Sequence, residues 1–135
     1  MRLEGRIAVV TGAATGIGKA TAETLCREGA HTVVADIDAE GARRAAEEIG
    51  KNGFSASFVR IDIARVSDIA KAVAEVLARH SRIDILVNNA GLYSTVPIPQ
   101  MTEREWDRVM NVNLKGTFFL SKEVLPSMIE RRYGK

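Results

Sequence analysis

A doubly wound α/β sandwich, with helices covering both faces of a parallel sheet, is the fold class that this sequence predicts. Three observations carry the expectation. Short apolar runs alternate with longer helical stretches. The first run, Ile7-Ala8-Val9-Val10-Thr11, hands over to a glycine cluster, and the second ends on Asp36. Strands that alternate with helices make βαβ units with right-handed crossovers, and hence a parallel sheet.

Ile7 to Thr11 is continuously apolar up to its last residue, as in a strand buried on both faces. A helix is expected from Gly16, carrying Ile17, Thr21 and Leu25 inward at spacings of four and stopping at Gly29. His31 to Asp36, centred on Val33-Val34, reads as the second strand. Ala39 to Gly50 is rich in Ala, Glu and Arg and reads as a helix with Ala42, Ala45, Ala46 and Ile49 on its inner face. Asn52-Gly53 marks a turn, and Ser55 to Ile63 alternates toward a third strand. Ile69, Val73, Val76 and Leu77 mark a third helix, and Ile83 to Val87 a fourth strand.

After that strand, Asn88 to Gln100 contains Gly91, Pro97 and Pro99 and is expected to be a long loop. Thr102-Glu103-Arg104-Glu105 reads as a capping box, with Met101 and Trp106 placed for a hydrophobic staple. The helical pattern then runs to about Arg132, bent or broken near Asn111–Asn113, with Leu114, Phe118, Leu125 and Met128 on one face. No repeat, linker or second domain is visible, so residues 1–135 read as a single domain. Periodicity does not separate it from other doubly wound domains, such as flavodoxin-like ones.

Composition excludes several functions. Hydrophobic residues make up 46% of the chain, enough to bury a core, so disorder is not its main state. Nineteen basic residues against 17 acidic leave a charge of +2, too balanced to call for nucleic acid or an anionic membrane. Cys26 is the one cysteine, which permits no internal disulfide and no cysteine-built metal site. His31 and His80 lie far apart in sequence without partner ligands, so no metal is expected. The N-terminal apolar run soon meets Gly12, Gly16, Gly18 and Lys19 and makes neither a signal peptide nor a membrane span, which needs about 18 or more apolar residues. The expected setting is cytoplasmic.

Thr11-Gly12-Ala13-Ala14-Thr15-Gly16-Ile17-Gly18 stands where the first strand passes into the first helix. A helix N-terminus presents unpaired N–H groups and about half a positive charge, and glycines let the backbone approach an anion. The spacing is G-x-x-x-G-x-G, which differs from the common dinucleotide fingerprint G-x-G-x-x-G and from a P-loop. Asp36 follows eighteen residues after Gly18, where a carboxylate is expected to hold the adenosine ribose hydroxyls. A 2′-phosphate at that spot meets a like charge about 4 Å away, a repulsion of roughly 1 to 4 kcal/mol at effective dielectrics of about 80 to 20. Thr15 and Ile37 offer no basic side chain to offset it, so NAD is expected and NADP is the less favoured cofactor.

Together with three further segments, these residues resemble the short-chain dehydrogenase/reductase family. Gly12, Gly16 and Gly18 are similar to its glycine motif, with Thr15 and Ile17 between them. Asp62-Ile63 is similar to the pair that meets the adenine ring, and Asn88-Asn89-Ala90-Gly91 to the family's Asn-Asn-Ala-Gly segment. In that segment the resemblance implies that Asn89, Ala90 and Gly91 run along the cofactor ribose and steady the sheet. Asn111-Val112-Asn113-Leu114-Lys115-Gly116 resembles the segment with the family's catalytic asparagine. That implies a catalytic role for Asn113, whose backbone holds a water in a proton relay, and a place for Val112 beside the nicotinamide ribose. The implied fold is Rossmann-like, and the implied activity is hydride transfer between an alcohol or carbonyl carbon and nicotinamide.

The family's catalytic serine and Tyr-x-x-x-Lys pair have no counterpart here. Tyr93 is followed four residues later by Pro97, and Tyr133 has only two residues after it. The chain therefore reads as the cofactor-binding half of the fold, ending after the fourth strand and its long helix, with a fifth strand due near Gly134-Lys135. The resemblance implies a small-molecule alcohol or ketone as substrate, and a homo-oligomer packed through the long helix in the complete fold. The 135 residues alone are expected to bind a dinucleotide without turnover, and to leave the fourth strand as an unprotected edge. A non-catalytic dinucleotide-binding sensor or partner module is the alternative reading. Tyr93, Ser94 and Val96 are candidates for a substrate entrance.

Overall fold

The structure, a computed structural model, describes all 135 residues. Strands β1 (Ile7–Thr11), β2 (His31–Asp36), β3 (Ala56–Arg60) and β4 (Ile85–Val87) form one parallel sheet in the order β3-β2-β1-β4. The helices are α1 (Gly16–Arg27), α2 (Ala39–Lys51), α3 (Val66–His80), α4 (Glu103–Met110) and α5 (Thr117–Glu130). A π-helical segment, Asn111–Gly116, joins α4 to α5.

Because successive strand residues face opposite ways, the sheet sorts its helices onto two sides. Val10 and Val34 pack with Ala22 and Cys26 of α1 and with Ala42, Ala45, Ala46 and Ile49 of α2. Val9, Val33 and Val59 pack with Ile69, Val73 and Val76 of α3 and with Leu120, Val124 and Met128 of α5. The result is the three-layer α/β/α sandwich expected from the sequence. No helix is long and apolar enough to cross a membrane.

Some expectations need correction. The inner face of α1 is Gly18, Ala22 and Cys26, with Leu25 partly packed, whereas Ile17 is 80% exposed. The face is offset by one residue because Gly18 abuts the Gly12 carbonyl, a tertiary approach that helical periodicity does not encode. On the long helix, Leu114, Phe118 and Leu125 face outward, and Met128 belongs instead with Leu120 and Val124. Apolar character alone does not tell an inner from an outer face.

The third strand stops at Arg60 rather than Ile63, because its neighbour β2 ends at Asp36, whose carbonyl accepts the Ile61 N–H as the last bond between them. The fourth begins at Ile85 rather than Ile83, with the Asp84 N–H donating to the Ile7 carbonyl as the first bond between it and β1. Only the forward half of the capping box forms: Thr102 Oγ1 accepts from Glu105 N–H at 3.2 Å. The Glu105 carboxylate turns to the Arg108 guanidinium, at 2.8 and 2.9 Å, and that fork with the Ser94 hydroxyl holds its pKa down to about 2. Trp106 is 57% exposed, so it does not close a buried staple.

At the N-terminal end of the sheet, Asp84 is fully buried and serves as a hub. It accepts from Ile7 N–H at 2.9 Å and from Arg131 Nη1 at 2.7 Å, and it forms ion pairs with Arg82 Nε at 3.1 Å and Arg6 at 3.8 Å. Burial pushes its carboxyl up, but the Ile7 N–H, Arg131 and Arg82 together outweigh it and hold the group below the usual carboxylate range. Arg131 also reaches the Ile83 carbonyl at 2.6 Å and so fixes the end of α5 to the start of β4. Beyond α5, Lys135 bonds the Asp84 carbonyl and the Leu86 N–H, laying its main chain along the outer edge of β4. That edge is therefore partly occupied rather than bare.

Candidate functional site

At the C-terminal ends of the strands lies a cavity of about 390 Å³, lined by residues that end or follow all four. In an open parallel sheet this is the topological switch point, where ligands bind. The floor is built by Thr11, the last residue of β1. Its buried hydroxyl accepts the N–H groups of Asn89 (3.1 Å) and Ala90 (3.0 Å) and donates to the Val87 carbonyl (3.3 Å). The Asn89 side chain returns the bond, donating from Nδ2 to the carbonyls of Thr11 and Gly12 at 2.9 and 3.2 Å. A five-residue strand and a three-residue strand are thus locked together where the cavity opens.

The glycine turn leaves the strand at Gly12, with φ of 62°, and enters α1 at Gly16, with φ of 57°. These are left-handed conformations that favour glycine. A Cβ on Gly12 would lie 2.9 Å from the Ala90 Cα, and one on Gly18 would lie well inside contact distance of the Gly12 carbonyl and the Asn89 amide. A Cβ on Gly16 would meet nothing within 4 Å, so that glycine is set by backbone conformation and faces open space. Thr15 is the N-cap of α1, but its side chain makes no capping bond. The N–H groups of Thr15, Gly16, Ile17 and Gly18 have no protein acceptor. Four unpaired donors at a helix start, beside an open space, suit an anion such as a pyrophosphate.

Asp36 lines the cavity at the end of β2. One carboxylate oxygen accepts from Ala14 N–H at 3.0 Å and the other from Asp38 N–H at 3.0 Å. Each oxygen keeps a further lone pair for a hydroxyl donor. Asp62 and Ile63 form the wall beyond β3; Asp62 Oδ1 accepts from Ala64 N–H at 3.0 Å, and Oδ2 lies 3.4 Å from Arg65 Nε. Ala90, Gly91 and Val112 close the opposite side.

Asn113 stands behind that side. Its Oδ1 accepts from Leu92 N–H at 2.9 Å and its Nδ2 donates to the Leu92 carbonyl at 2.7 Å, a two-bond clamp on the loop after β4. Its backbone carbonyl accepts from Thr117 Oγ1 at 3.0 Å.

The structure therefore gathers Gly12, Thr15, Asp36, Asp62, Ile63, Ala90, Gly91 and Val112 around one cavity. Gly16, Ile17 and Gly18 shape the helix start beside it, while Asn89 and Asn113 brace the wall from behind. The Ile17 side chain points to solvent, so only its N–H faces the site. Sequence reasoning missed two wall residues, Ile61 and Leu92, and the bridging part played by Thr11, and it named Ile37 only as the apolar neighbour of Asp36. Thr11 had a signal, a hydroxyl residue closing an apolar strand just before glycine. Tyr93 is 81% exposed and lies outside the cavity lining, as do Ser94 and Val96.

A family model described as short chain dehydrogenase matches residues 6–135. Sorbitol dehydrogenase of Cereibacter sphaeroides is 44% identical over 129 residues, which is 96% of this chain and 49% of that protein. The 3-oxoacyl-(acyl-carrier-protein) reductase FabG of Thermotoga maritima is 41% identical over 135 residues, 99% of this chain and 54% of that protein. The crystal structure of a metagenomic short-chain oxidoreductase in complex with NADP superposes with a TM-score of 0.94 at 39% identity, covering 99% of this chain and 61% of that one. The chain spans about half the length of the curated relatives it matches.

Proposed function

The chain belongs to the short-chain dehydrogenase family, and from that premise we propose that it forms the dinucleotide-binding half of an oxidoreductase acting between a small alcohol or ketone and nicotinamide. The observation that carries this reading is the cavity at the switch point, with unpaired N–H groups at its helix start and two aspartates on its walls. The residues fit the cofactor. The N–H groups of Thr15 to Gly18 face a pyrophosphate, Asp36 takes the adenosine ribose hydroxyls, and Asp62 with Ile63 meets the adenine. Ala90, Gly91 and Val112 border the nicotinamide side. When bound, the cofactor supplies the hydride acceptor or donor.

What the chain's own residues contribute is position. Thr11 and Asn89 hold the cavity floor rigid, and Asn113 fixes the Leu92 main chain beside the nicotinamide side. As a candidate catalytic residue, Asn113 is proposed to hold a relay water with its backbone.

The cofactor preferred in this reading is NAD. Asp36 presents a carboxylate on the cavity wall where a 2′-phosphate would lie, although the metagenomic relative is a complex with NADP. Fluorescence titration is the test: NADH is expected to bind at least tenfold more tightly than NADPH, and equal affinities would remove the preference. Failure of both to bind would remove the whole reading.

The 135 residues lack the serine and Tyr-x-x-x-Lys of the family and are proposed to bind without sustained turnover. Steady NAD-dependent oxidation of an alcohol by the purified chain would refute that. Packing of the complete fold into a homo-oligomer through the exposed side of α5, and a cytoplasmic setting in keeping with the free thiol of Cys26, belong to the same proposal.

A further inference from the structure

Forty-nine residues apart in sequence, His31 and His80 come together at the end of the sheet remote from the cavity, with ring centroids 4.4 Å apart and planes tilted by 40°. His31 opens β2, and His80 closes α3. The hydroxyls of β3 and of the turn before it link them. Ser55 Oγ lies 2.6 Å from His31 Nδ1, Ser57 Oγ lies 2.8 Å from His31 Nε2, and the same Ser57 Oγ is 3.4 Å from His80 Nε2. One short chain of bonds therefore ties the edge strand, its neighbour and the end of α3.

We propose that His31 and His80 form a one-proton latch, in which the pair holds the C-terminal end of α3 to the β2–β3 edge while at most one ring is charged and releases that end when both rings charge. The reasoning is a donor count. A hydroxyl both donates and accepts, a neutral imidazole offers one donor and one acceptor, and a charged one offers two donors. With one proton on the pair, Ser57 accepts from a charged His31 and donates to a neutral His80. With two, the Ser57 hydroxyl loses its acceptor on His80 and has to take both N–H groups on its own oxygen, and two like charges stand where the rings are 4.4 Å apart.

The surroundings give the second charge no partner. From α3 the neighbouring charge is Arg79, itself paired with Glu75, and it adds positive potential at His80. From the turn before β3 and from β3 come the Ser55 and Ser57 hydroxyls, and from α1 the buried Cys26 thiol, which bonds the Ser55 carbonyl. From the chain before β1 the Arg6 carbonyl accepts the His31 N–H, while the Arg6 guanidinium stacks over Tyr133. No carboxylate bonds either ring. Burial pushes both imidazoles below their usual range, helped by His80 at His31 and by Arg79 at His80. A histidine whose native pKa is lowered contributes stability above the ordinary imidazole value of about 6.5, and that contribution is lost as pH falls through the lowered values.

The test is an NMR titration of the imidazole nitrogens in the wild-type protein from pH 8 to 5, with amide exchange read at Ser81, whose N–H bonds the Leu77 carbonyl at the end of α3. Two coupled steps are expected, the second ring protonating with at least tenfold lower affinity. A lower protection factor at Ser81, the exchange rate being corrected for its intrinsic slowing toward acid, should accompany that second step. In His80→Gln, which keeps a polar partner for Ser57 but cannot charge, His31 should titrate as a single site at higher pH, and the acid-dependent loss of protection should vanish. Two independent titrations near the ordinary value in the wild type would overturn the proposal. So would an acid-dependent loss of protection at Ser81 that persists unchanged in His80→Gln.

Discussion

Two aspartates sit at opposite ends of the same sheet. Asp84, where the strands begin, is fully buried and spends its carboxylate on Ile7, Arg131 and Arg82. Asp36, where β2 ends, is half-buried and accepts only two main-chain N–H groups, with lone pairs left over toward a cavity. The helix start beside it likewise keeps its N–H groups unpaired. One aspartate is satisfied within the chain, and the other keeps capacity to spare. Polar groups left unpaired in this way cost stability and are tolerated where a ligand completes them.

The sharpest way to break this contrast is Asp84→Ala. It leaves Arg131 and the Ile7 N–H without their buried acceptor, and a loss of about 3 kcal/mol is expected in urea denaturation. NADH affinity, measured well below the midpoint, should stay within about twofold. A large fall in affinity would mean that the two ends are not separate. Asp84 also has a pH signature. Its carboxyl is held low in the folded state, so its contribution is present above the unfolded carboxylate value of about 3.9 and is lost as pH falls through the lower native one. The acid limb of a stability–pH profile should therefore flatten in the variant.

Next in size is Gly18→Ala, where the added carbon collides with the Gly12 carbonyl. Overpacking of this kind costs about 1–3 kcal/mol. Here affinity and stability should fall together, because the helix start is moved off the strand end; thermal melts beside NADH titrations check it. Asp36→Ala removes acceptors from the Ala14 and Asp38 N–H groups in a partly solvated place, worth about 1 kcal/mol. Its main effect should be on discrimination, with the NADH-to-NADPH affinity ratio dropping at least tenfold. The smallest effect belongs to Thr102→Ala. It removes the N-cap of α4, a helix with no buried residue, for about 0.5–1 kcal/mol by denaturation and no change in affinity.

The open end of the sheet was largely legible in the sequence, and the closed end was not. Gly12, Gly16, Gly18 and Asp36 stand out because a turn of left-handed backbone and close approach favours glycine, and a carboxylate that ends an apolar strand is visible in the chain. The family resemblance rested on the same segments, and the match over residues 6–135 bears it out. Asp84 has no such local mark. It reads as one polar residue within an apolar run, and its partners lie 47 residues ahead at Arg131 and 77 behind at Ile7. His31 and His80 escaped for the same reason: their meeting is a product of β2 and α3 ending side by side. The inner faces of α1 and α5 were misjudged where a glycine approach and outward apolar residues overrode simple periodicity.

The π-helical stretch from Asn111 to Gly116 has a consequence for how this gene can vary. An ordinary helix turns by about 100° with each residue. Deleting a single codon there would swing either the Asn113 amide away from Leu92 or the row Leu120, Val124 and Met128 away from the sheet, whatever side chains remained. The stretch acts as a phase adjuster between two faces that must both be met. Its length should thus be held as firmly as Asn113 and Gly116 themselves, and insertions or deletions should be purged there.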